Sequence, residues 1–355
     1  MTYDENALKM IEELSMAKGA PAFEDEVLLT ARKYAEGIGR IEEDKLRNLY
    51  IYRKENTGKK PVLMLDAHSD EVGFMVRAIY DDGSLAVLPI GGWRPEGLPS
   101  ADMLVRNRDG RYIPAIFATI PGHFHDHTPQ DILKMRLDVG ATSRREAEED
   151  FGIRIGEPVV PASSFRFDSE HGLLFGKAFD CRIGVAALLE TLKRLEGEEL
   201  PCDVVGVLSS QEELGERGCM VSARHAAPDV ALVFEGCPAD DVYRDGVAVQ
   251  AALHKGGMLR HMDKGIICSP RFQRFALDLC AKNGVRVQEA VRDGGGNDGA
   301  KINAALDGTP VIVVAVPVRY PHSCNGICAY DDFEETVRFA VTVIRSLTPD
   351  VIDAF

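Results

Sequence analysis

The stretch Val62-Leu63-Met64-Leu65-Asp66-Ala67-His68-Ser69-Asp70 decides the fold of this chain. A short, continuous apolar run is typical of a strand buried on both faces, as in a parallel sheet that helices cover. Polar residues follow at its carboxyl end, which is where ligands gather in such sheets. We therefore predict an α/β fold with a functional site at this edge of the sheet.

Acidic and histidine residues accompany four further apolar or amphipathic runs. They are Asp180 just before the helical run 183–195, Glu212 and Glu213 after 204–208, Glu235 after 230–234, and His322 after 311–316. Histidine and carboxylate side chains are ligands that suit zinc. The repeated placement predicts a metal site rather than a chance collection of polar residues.

His68 and Asp70 are expected to act together. The two-residue period of an extended segment places both side chains on the same side. The Asp70 carboxylate can then hold the second ring nitrogen of His68 and fix the tautomer that binds metal. The alternative is a polar strand end that contacts only solvent.

Glu212 and Glu213 are adjacent acids at a strand end. In an extended segment they point to opposite sides, so Glu213 can bind metal while Glu212 faces the substrate water. A solvated turn is the alternative. Asp180 is open to a different interpretation, because aspartate is also a favoured N-cap residue at the start of a helix.

Composition excludes several classes of partner. A net charge of −15 argues against a nucleic-acid groove or an anionic membrane surface. No apolar run reaches the length of a membrane span, and the first residues do not resemble a signal peptide, so we expect a cytoplasmic protein. The eight cysteines form no Cys-x-x-Cys pair and are expected to be reduced. Cys181 and Cys324 adjoin proposed metal ligands but are not predicted to be ligands.

The hydrophobic pattern of the sequence changes between residues 71 and 164. Short alternating runs are separated by turn residues such as Asp81-Asp82-Gly83 and Gly91-Gly92, which is typical of a small antiparallel barrel or sandwich. We therefore predict a catalytic domain formed by residues 1–70 and 165–355, interrupted by a β domain at 71–164.

Two other motifs are not assigned to the site. Residues 294–299 fit Gly-x-Gly-x-x-Gly, but Asp293 and Asp298 would repel a phosphate, so a flexible loop near the active site is the preferred interpretation. His123, His125 and His127 suggest an additional structural metal site, with an ordinary loop as the favoured alternative.

As an ordered set, motifs over nearly the whole chain resemble those of the tetrahedral (glutamyl-type) aminopeptidase family of di-metal peptidases. The motifs are Lys18-Gly19-Ala20-Pro21-Ala22-Phe23-Glu24, His68-Ser69-Asp70-Glu71-Val72-Gly73, Leu137-Asp138-Val139-Gly140-Ala141, Phe179-Asp180, Glu212-Glu213-Leu214-Gly215 and His322-Ser323. The resemblance implies a di-zinc peptidase fold, with a mixed, mostly parallel sheet flanked by helices and an inserted small β-barrel domain for oligomerisation. It also implies a hollow homo-oligomer, typically a dodecamer.

The resemblance further implies two divalent metal ions per chain, zinc or cobalt. Asp180 would bridge them, with His68 and Glu235 completing one position and Glu213 and His322 the other. Glu212 would be the general base that deprotonates a metal-activated water, and Asp70 the partner of His68. The implied activity is removal of N-terminal residues from short peptides.

The chain departs from the family pattern at three positions. Glu235 stands where most members have Asp, Asn297 replaces the usual Thr, and Cys324 follows His322-Ser323. Because Glu at the terminal-ligand position is commoner in related deacylases, a di-metal deacylase or amidohydrolase acting on N-acylated substrates is the alternative activity. A non-catalytic shell or binding protein is the alternative from a different class, against which Glu212 argues.

Overall fold

The computed structural model describes residues 3–119 and 131–355. Its helices are α1 (Glu5–Met16), α2 (Asp25–Tyr34), α3 (Arg144–Glu149), α4 (Phe179–Arg194), α5 (Arg217–Ala226), α6 (Pro270–Asn283), α7 (Gly299–Asn303), α8 (Tyr330–Ile344) and α9 (Pro349–Ile352). Its strands are β1 (Gly39–Glu43), β2 (Leu49–Arg53), β3 (Val62–His68), β4 (Gly73–Ile79), β5 (Leu85–Ile90), β6 (Asp102–Arg106), β7 (Tyr112–Phe117), β8 (Arg136–Asp138), β9 (Pro158–Pro161), β10 (Arg166–Asp168), β11 (Leu173–Gly176), β12 (Asp203–Ser209), β13 (Val230–Pro238), β14 (Gly257–Met262), β15 (Val287–Val291), β16 (Val311–Arg319) and β17 (Gly326–Ala329). None of these helices is long and apolar enough to cross a membrane.

The large sheet is mixed, with its parallel strands at the centre. Its order is β1-β2-β12-β3-β13-β16-β17-β11-β10, and β14 and β15 branch from β16. Strands β12, β3, β13 and β16 run parallel, and antiparallel pairs extend the sheet on both sides. The prediction of a mixed sheet flanked by helices is confirmed, and the parallel centre carries the proposed site.

Alternate residues of the central strands face two different apolar cores. Leu63 and Leu65 pack on the side of α1, α4 and α8, whereas Met64 packs on the opposite side with residues of α5 and α7. Strands buried on both faces need apolar residues at successive positions. The uninterrupted apolar runs of the sequence follow from this arrangement.

The inserted segment forms a closed antiparallel barrel in the order β4-β5-β8-β7-β6-β9. All six strands lie between Gly73 and Pro161, and Phe74, Phe117 and Leu137 are completely buried inside. The predicted inserted barrel is confirmed, and the sandwich alternative is wrong. The His123, His125 and His127 cluster lies outside the described residues.

A buried ion cluster lies where the chain leaves the large sheet for the barrel. Lys177 Nζ lies 2.6 Å from each carboxylate oxygen of Glu71, and Arg182 Nη2 lies 3.4 Å from Glu71 Oε1. Glu71 stands just before β4, and Lys177 stands just after β11. The cluster therefore ties the segment that enters the barrel to the end of β11 in the large sheet.

Candidate metal centre

The carboxylate of Asp180 lies between two imidazoles. Its Oδ1 is 3.0 Å from His68 Nε2, and its Oδ2 is 3.2 Å from His322 Nε2. One carboxylate oxygen is thus available on the side of each histidine. This arrangement suits two adjacent cations that share a bridging carboxylate.

Backbone geometry explains how Asp180 reaches this position. The residue is within the first turn of α4 but has non-helical angles of φ −85° and ψ 104°. Its side-chain partners are the two imidazoles rather than helix N–H groups. The N-cap interpretation of Asp180 is therefore wrong.

His322 is oriented by the inserted domain. It follows β16 with a left-handed φ of 54°, and its Nδ1 donates to the carbonyl oxygen of Gly92 at 3.1 Å. A proton on Nδ1 leaves Nε2 free to bind a metal. Metal-binding histidines commonly donate their other ring N–H to a backbone carbonyl in this way, which fixes the tautomer. A Cβ at Gly92 would lie only 3.1 Å from His322 Nδ1, so glycine permits this approach. The sequence marks 91–92 as a turn but gives no signal that the turn reaches the site.

The two adjacent glutamates lie in a 3-10 turn. The turn Glu212–Leu214 follows Gln211, which has a left-handed φ of 60°, so the prediction that this segment is extended is wrong. Glu212 Oε2 is nevertheless 3.9 Å from His68 Nε2, while Glu213 Oε1 is 3.4 Å from His322 Nε2. Successive residues of a 3-10 helix point in different directions. The two carboxylates therefore still face different imidazoles.

Asp70 fixes that turn. Its carboxylate accepts the backbone N–H of Glu212 at 2.9 Å and that of Glu213 at 3.0 Å. Its Oδ1 also lies 3.4 Å from His68 Nδ1, close to the predicted partner but without the alignment of a hydrogen bond. Asp70 therefore contacts three residues of the site rather than His68 alone.

Glu235 lies at the carboxyl half of β13 and faces His68. Its Oε2 is 3.9 Å from His68 Nε2 and accepts the N–H of Gly236 at 3.2 Å. Ligand atoms of His68, Asp180 and Glu213 lie within 4.8 Å of one another, and so do those of His68, Cys181 and Glu235. The structure thus brings all seven sequence-predicted residues together, and it adds Cys181.

The charges of the site favour a bound cation. Burial raises the pKa of Glu212 and of Glu213 to about 8 and also raises the pKa of Glu235. Burial alone would lower the pKa of His322, but its contact with Asp180 and the charge of Glu213 raise that pKa to about 10. Glu213 Oε1 has no hydrogen-bond partner among the described residues. Buried carboxylates without matching positive charge are costly, so the donor set fits divalent metal ions.

A cleft of about 690 Å³ opens over these residues. Besides the proposed ligands Asp180, Glu213, Glu235 and His322, three arginines line it, Arg244, Arg260 and Arg292, together with the loop 294–296. The interpretation of that glycine-rich segment as a loop near the site agrees with this position. The three arginines were not singled out from the sequence, because no periodicity places them in one cleft.

The chain is similar to known aminopeptidases over most of its length. The profile of the M42 glutamyl aminopeptidase family matches residues 48–339. The glutamyl aminopeptidase of Lactococcus lactis subsp. cremoris is 32% identical over 88% of this chain and 88% of that protein. The lysyl aminopeptidase of Pyrococcus furiosus is 32% identical over 87% of this chain and 88% of that protein.

Two solved structures share the whole architecture. A TET aminopeptidase from the archaeon Thaumarchaeota archaeon SCGC AB-539-E09 superposes with a TM-score of 0.94 at 31% identity, covering 99% of both chains. The TET1 peptidase of Pyrococcus horikoshii, which can assemble into a tetrahedron or a large octahedral shell, gives a TM-score of 0.86 at 24% identity. That alignment covers 96% of this chain and 100% of the other.

Proposed function

Because the chain belongs to the M42 glutamyl aminopeptidase family and is a metal-dependent aminopeptidase, we propose that it removes N-terminal residues from short peptides with two divalent ions, zinc or cobalt. The observation that carries this proposal is the Asp180 carboxylate, which presents one oxygen to each of two imidazoles. His68 and Glu235 would complete one metal position, and Glu213 and His322 the other.

In this proposal Glu212 acts on the substrate water. Divalent ions bound at such a centre lower the pKa of a water molecule and polarise the peptide carbonyl. Glu212 takes the proton of that water and returns it to the leaving amine. Its burial, which raises its pKa, suits a group that must accept a proton and release it again. Asp70 holds the backbone of Glu212 and thereby orients the base.

The arginines of the cleft favour an acidic first residue in the substrate. Arg292 Nη1 binds Asp240 at 2.7 Å and Arg260 Nη1 binds Asp263 at 3.1 Å, whereas the exposed Arg244 has its Nε 3.7 Å from Asp240 Oδ2, beyond hydrogen-bond distance. A side-chain carboxylate of the substrate could bind the guanidinium of Arg244.

A lysyl side chain would be repelled by these arginines. Of the two acidic residues that line the cleft outside the metal centre, Glu216 lies 3.6 Å from Lys301 and Asp293 is exposed. Outside the metal centre the cleft is thus lined by three arginines against two acidic residues, which favours an acidic over a cationic side chain. This supports a glutamyl rather than a lysyl preference, although relatives of both kinds are equally similar in sequence.

An aminoacyl-arylamide panel tests the activity and the preference together. Stripped protein reloaded with zinc or cobalt should cleave glutamyl and aspartyl substrates faster than leucyl and lysyl ones, and should leave N-acylated glutamyl substrates intact. Preferential cleavage of N-acylated substrates would contradict the proposal in favour of a deacylase. Arg244, whose side chain is 43% exposed, allows a variant at low risk to folding.

The Arg244→Gln variant should lower kcat/KM for glutamyl substrates by roughly tenfold or more, since a hydrogen bond to a charged group contributes about 1.5–3 kcal/mol. Its kcat/KM for leucyl substrates should change little. Arg274→Gln, on an exposed position of α6, is the matched control and should change neither. Equal losses on both substrates would contradict recognition of an acidic side chain by Arg244.

We also propose that the protein is a cytoplasmic homo-oligomer, with a dodecamer as the expected form, and that it has neither nucleic-acid nor membrane partners. Exposed apolar side chains support assembly, because Val247 is fully exposed and Val242 and Tyr243 of the same segment are also exposed. Leu133 and Ile155 of the inserted segment are also exposed. Eight free cysteines support a reducing compartment.

A further inference from the structure

Cys181 lies within reach of one of the two proposed metal positions. Its Sγ, a ring nitrogen of His68 and a carboxylate oxygen of Glu235 are all within 4.8 Å of one another, and all three residues are buried. Cysteine thiolate, histidine and carboxylate are three of the ligand types from which zinc sites are built. Cys181 is therefore close enough to these residues to bind the same metal ion.

The position of the thiol is fixed by its surroundings. Cys181 Sγ donates to the carbonyl oxygen of Phe234, the residue before Glu235, at 3.2 Å. On the helix side, a Cβ on Gly184 would lie only 2.4 Å from Cys181 Sγ, so the absence of a side chain there makes the room for sulfur. The thiol thus sits between α4 and β13, directly beside the strand that carries Glu235.

Packing alone is the ordinary role of a buried cysteine, which behaves as a small hydrophobic side chain. Two observations distinguish Cys181 from the other seven cysteines. Among the described residues, Cys181 is the cysteine whose sulfur lies in a group with a histidine nitrogen and a carboxylate oxygen. It also directly follows Asp180, whose carboxylate would bridge the two positions.

We propose that Cys181 is a thiolate ligand of the metal ion held by His68 and Glu235, an inference that rests on the ligand set proposed above. The thiol loses its proton to solvent when the ion binds, and its hydrogen bond to Phe234 is given up. The two positions then differ in character. One has a soft sulfur donor that selects zinc or cobalt over manganese, and the other has only nitrogen and oxygen donors.

Cobalt substitution gives a direct readout of sulfur ligation. The stripped full-length protein is titrated with cobalt(II), and the near-ultraviolet absorption is followed for a sulfur-to-cobalt charge-transfer band. The wild-type protein should develop the band as one of its two ions binds. Manganese should compete poorly for that ion and well for the other.

Variants separate Cys181 from the remaining thiols. Cys181→Ser and Cys181→Ala should lose the band, and one cobalt ion should bind at least about tenfold more weakly, the lower end of the loss seen when even outer partners of metal ligands are removed. Cys268→Ser is the matched control, because Cys268 is equally buried but packs in a different apolar cluster, and it should keep the band. Circular dichroism confirms that each variant is folded.

A wild-type protein that binds two cobalt ions without the band, or a Cys181 variant that keeps it, would overturn the inference while leaving the proposed aminopeptidase intact. A chain that binds no cobalt would overturn both.

Discussion

Three distant segments bring His68 and His322 to the two carboxylate oxygens of Asp180, at 3.0 and 3.2 Å. Each segment leaves regular geometry at that point: β3 ends at His68, α4 is distorted at Asp180, and His322 has a left-handed backbone. Irregular backbone of this kind is found where a functional site requires it. At the scale of single residues, the site therefore depends on where regular structure stops.

Replacement of Glu212 separates catalysis from metal binding. The Glu212→Gln variant should lose turnover by at least about 10²–10⁴-fold, since it removes a general base. Its metal content should stay near that of the wild-type protein, because Glu212 is assigned to the water rather than to an ion. Activity assays and elemental analysis on the same sample check both parts. Joint loss of activity and metal would show that Glu212 is a ligand.

Glu213→Gln is the matched control for that experiment. Glu213 is adjacent in sequence, is similarly buried and has the same raised pKa of about 8, but it faces His322. We expect this variant to lose metal affinity as well as activity. Full metal occupancy in Glu213→Gln would contradict its assignment as a ligand.

The sequence predicts the ligand residues because each follows or precedes a recognisable run. His68, Glu213 and His322 could be placed at one edge of a sheet without coordinates. Cys181 and Gly92 could not. The direction of Cys181 depends on the distorted first turn of α4, and the approach of Gly92 depends on how the barrel sits against the sheet.

At the scale of elements, the buried junction cluster connects the barrel to the metal centre. Arg182 donates from Nε to the carbonyl oxygen of Ser69, which lies between His68 and Asp70, and from Nη1 to Leu14 and Ala17. The same guanidinium approaches Glu71, the partner of Lys177. The segment 68–71 is therefore held by Arg182 and Lys177.

Removal of the Lys177 charge should destabilise the protein strongly. Lys177→Met leaves the buried Glu71 carboxylate with less compensation, and loss of one partner of a buried pair typically costs about 3–5 kcal/mol. Urea unfolding of the metal-loaded protein measures the change in the free energy of unfolding. The double variant, Lys177→Met with Glu71→Gln, should recover part of the lost stability. Arg345→Gln is the control, because its pair with Glu198 is half-exposed and should contribute about 0–1 kcal/mol. Equal, small losses in both variants would contradict a stabilising role of the buried Lys177–Glu71 pair.

The elements that the sequence does not predict are short or interrupted. Strand β14 follows Lys255-Gly256, and strand β15 follows Arg286. Strand β14 joins the sheet antiparallel to β16. Strand β17 has four residues. Strands β14 and β17 pair with β16 and β15 pairs with β14, and local apolar periodicity gives no sign of these tertiary pairings. The long central strands, by contrast, follow directly from their apolar runs.

At the scale of the whole molecule, assembly is the main expectation. Light scattering of the purified protein should give a mass several times that of the 38.9 kDa chain and larger than a dimer. Val247→Asp should reduce the assembly, because a charge would replace a fully exposed apolar side chain of the 242–247 segment. Glu289→Asp, on an exposed strand position, is the control. A stable, active monomer would contradict both the shell and the restriction to short peptides.

The number of metal ions per chain tests the central claim most directly. Stripped protein reconstituted with zinc or cobalt should bind two ions per chain, and cleavage of substrates with a free α-amino group should require both. Glu235, with its longer side chain, would then be accommodated within β13, where its carboxylate accepts the N–H of Gly236 at 3.2 Å. Saturation at one ion per chain, with full activity, would contradict the two-metal centre on which the account depends.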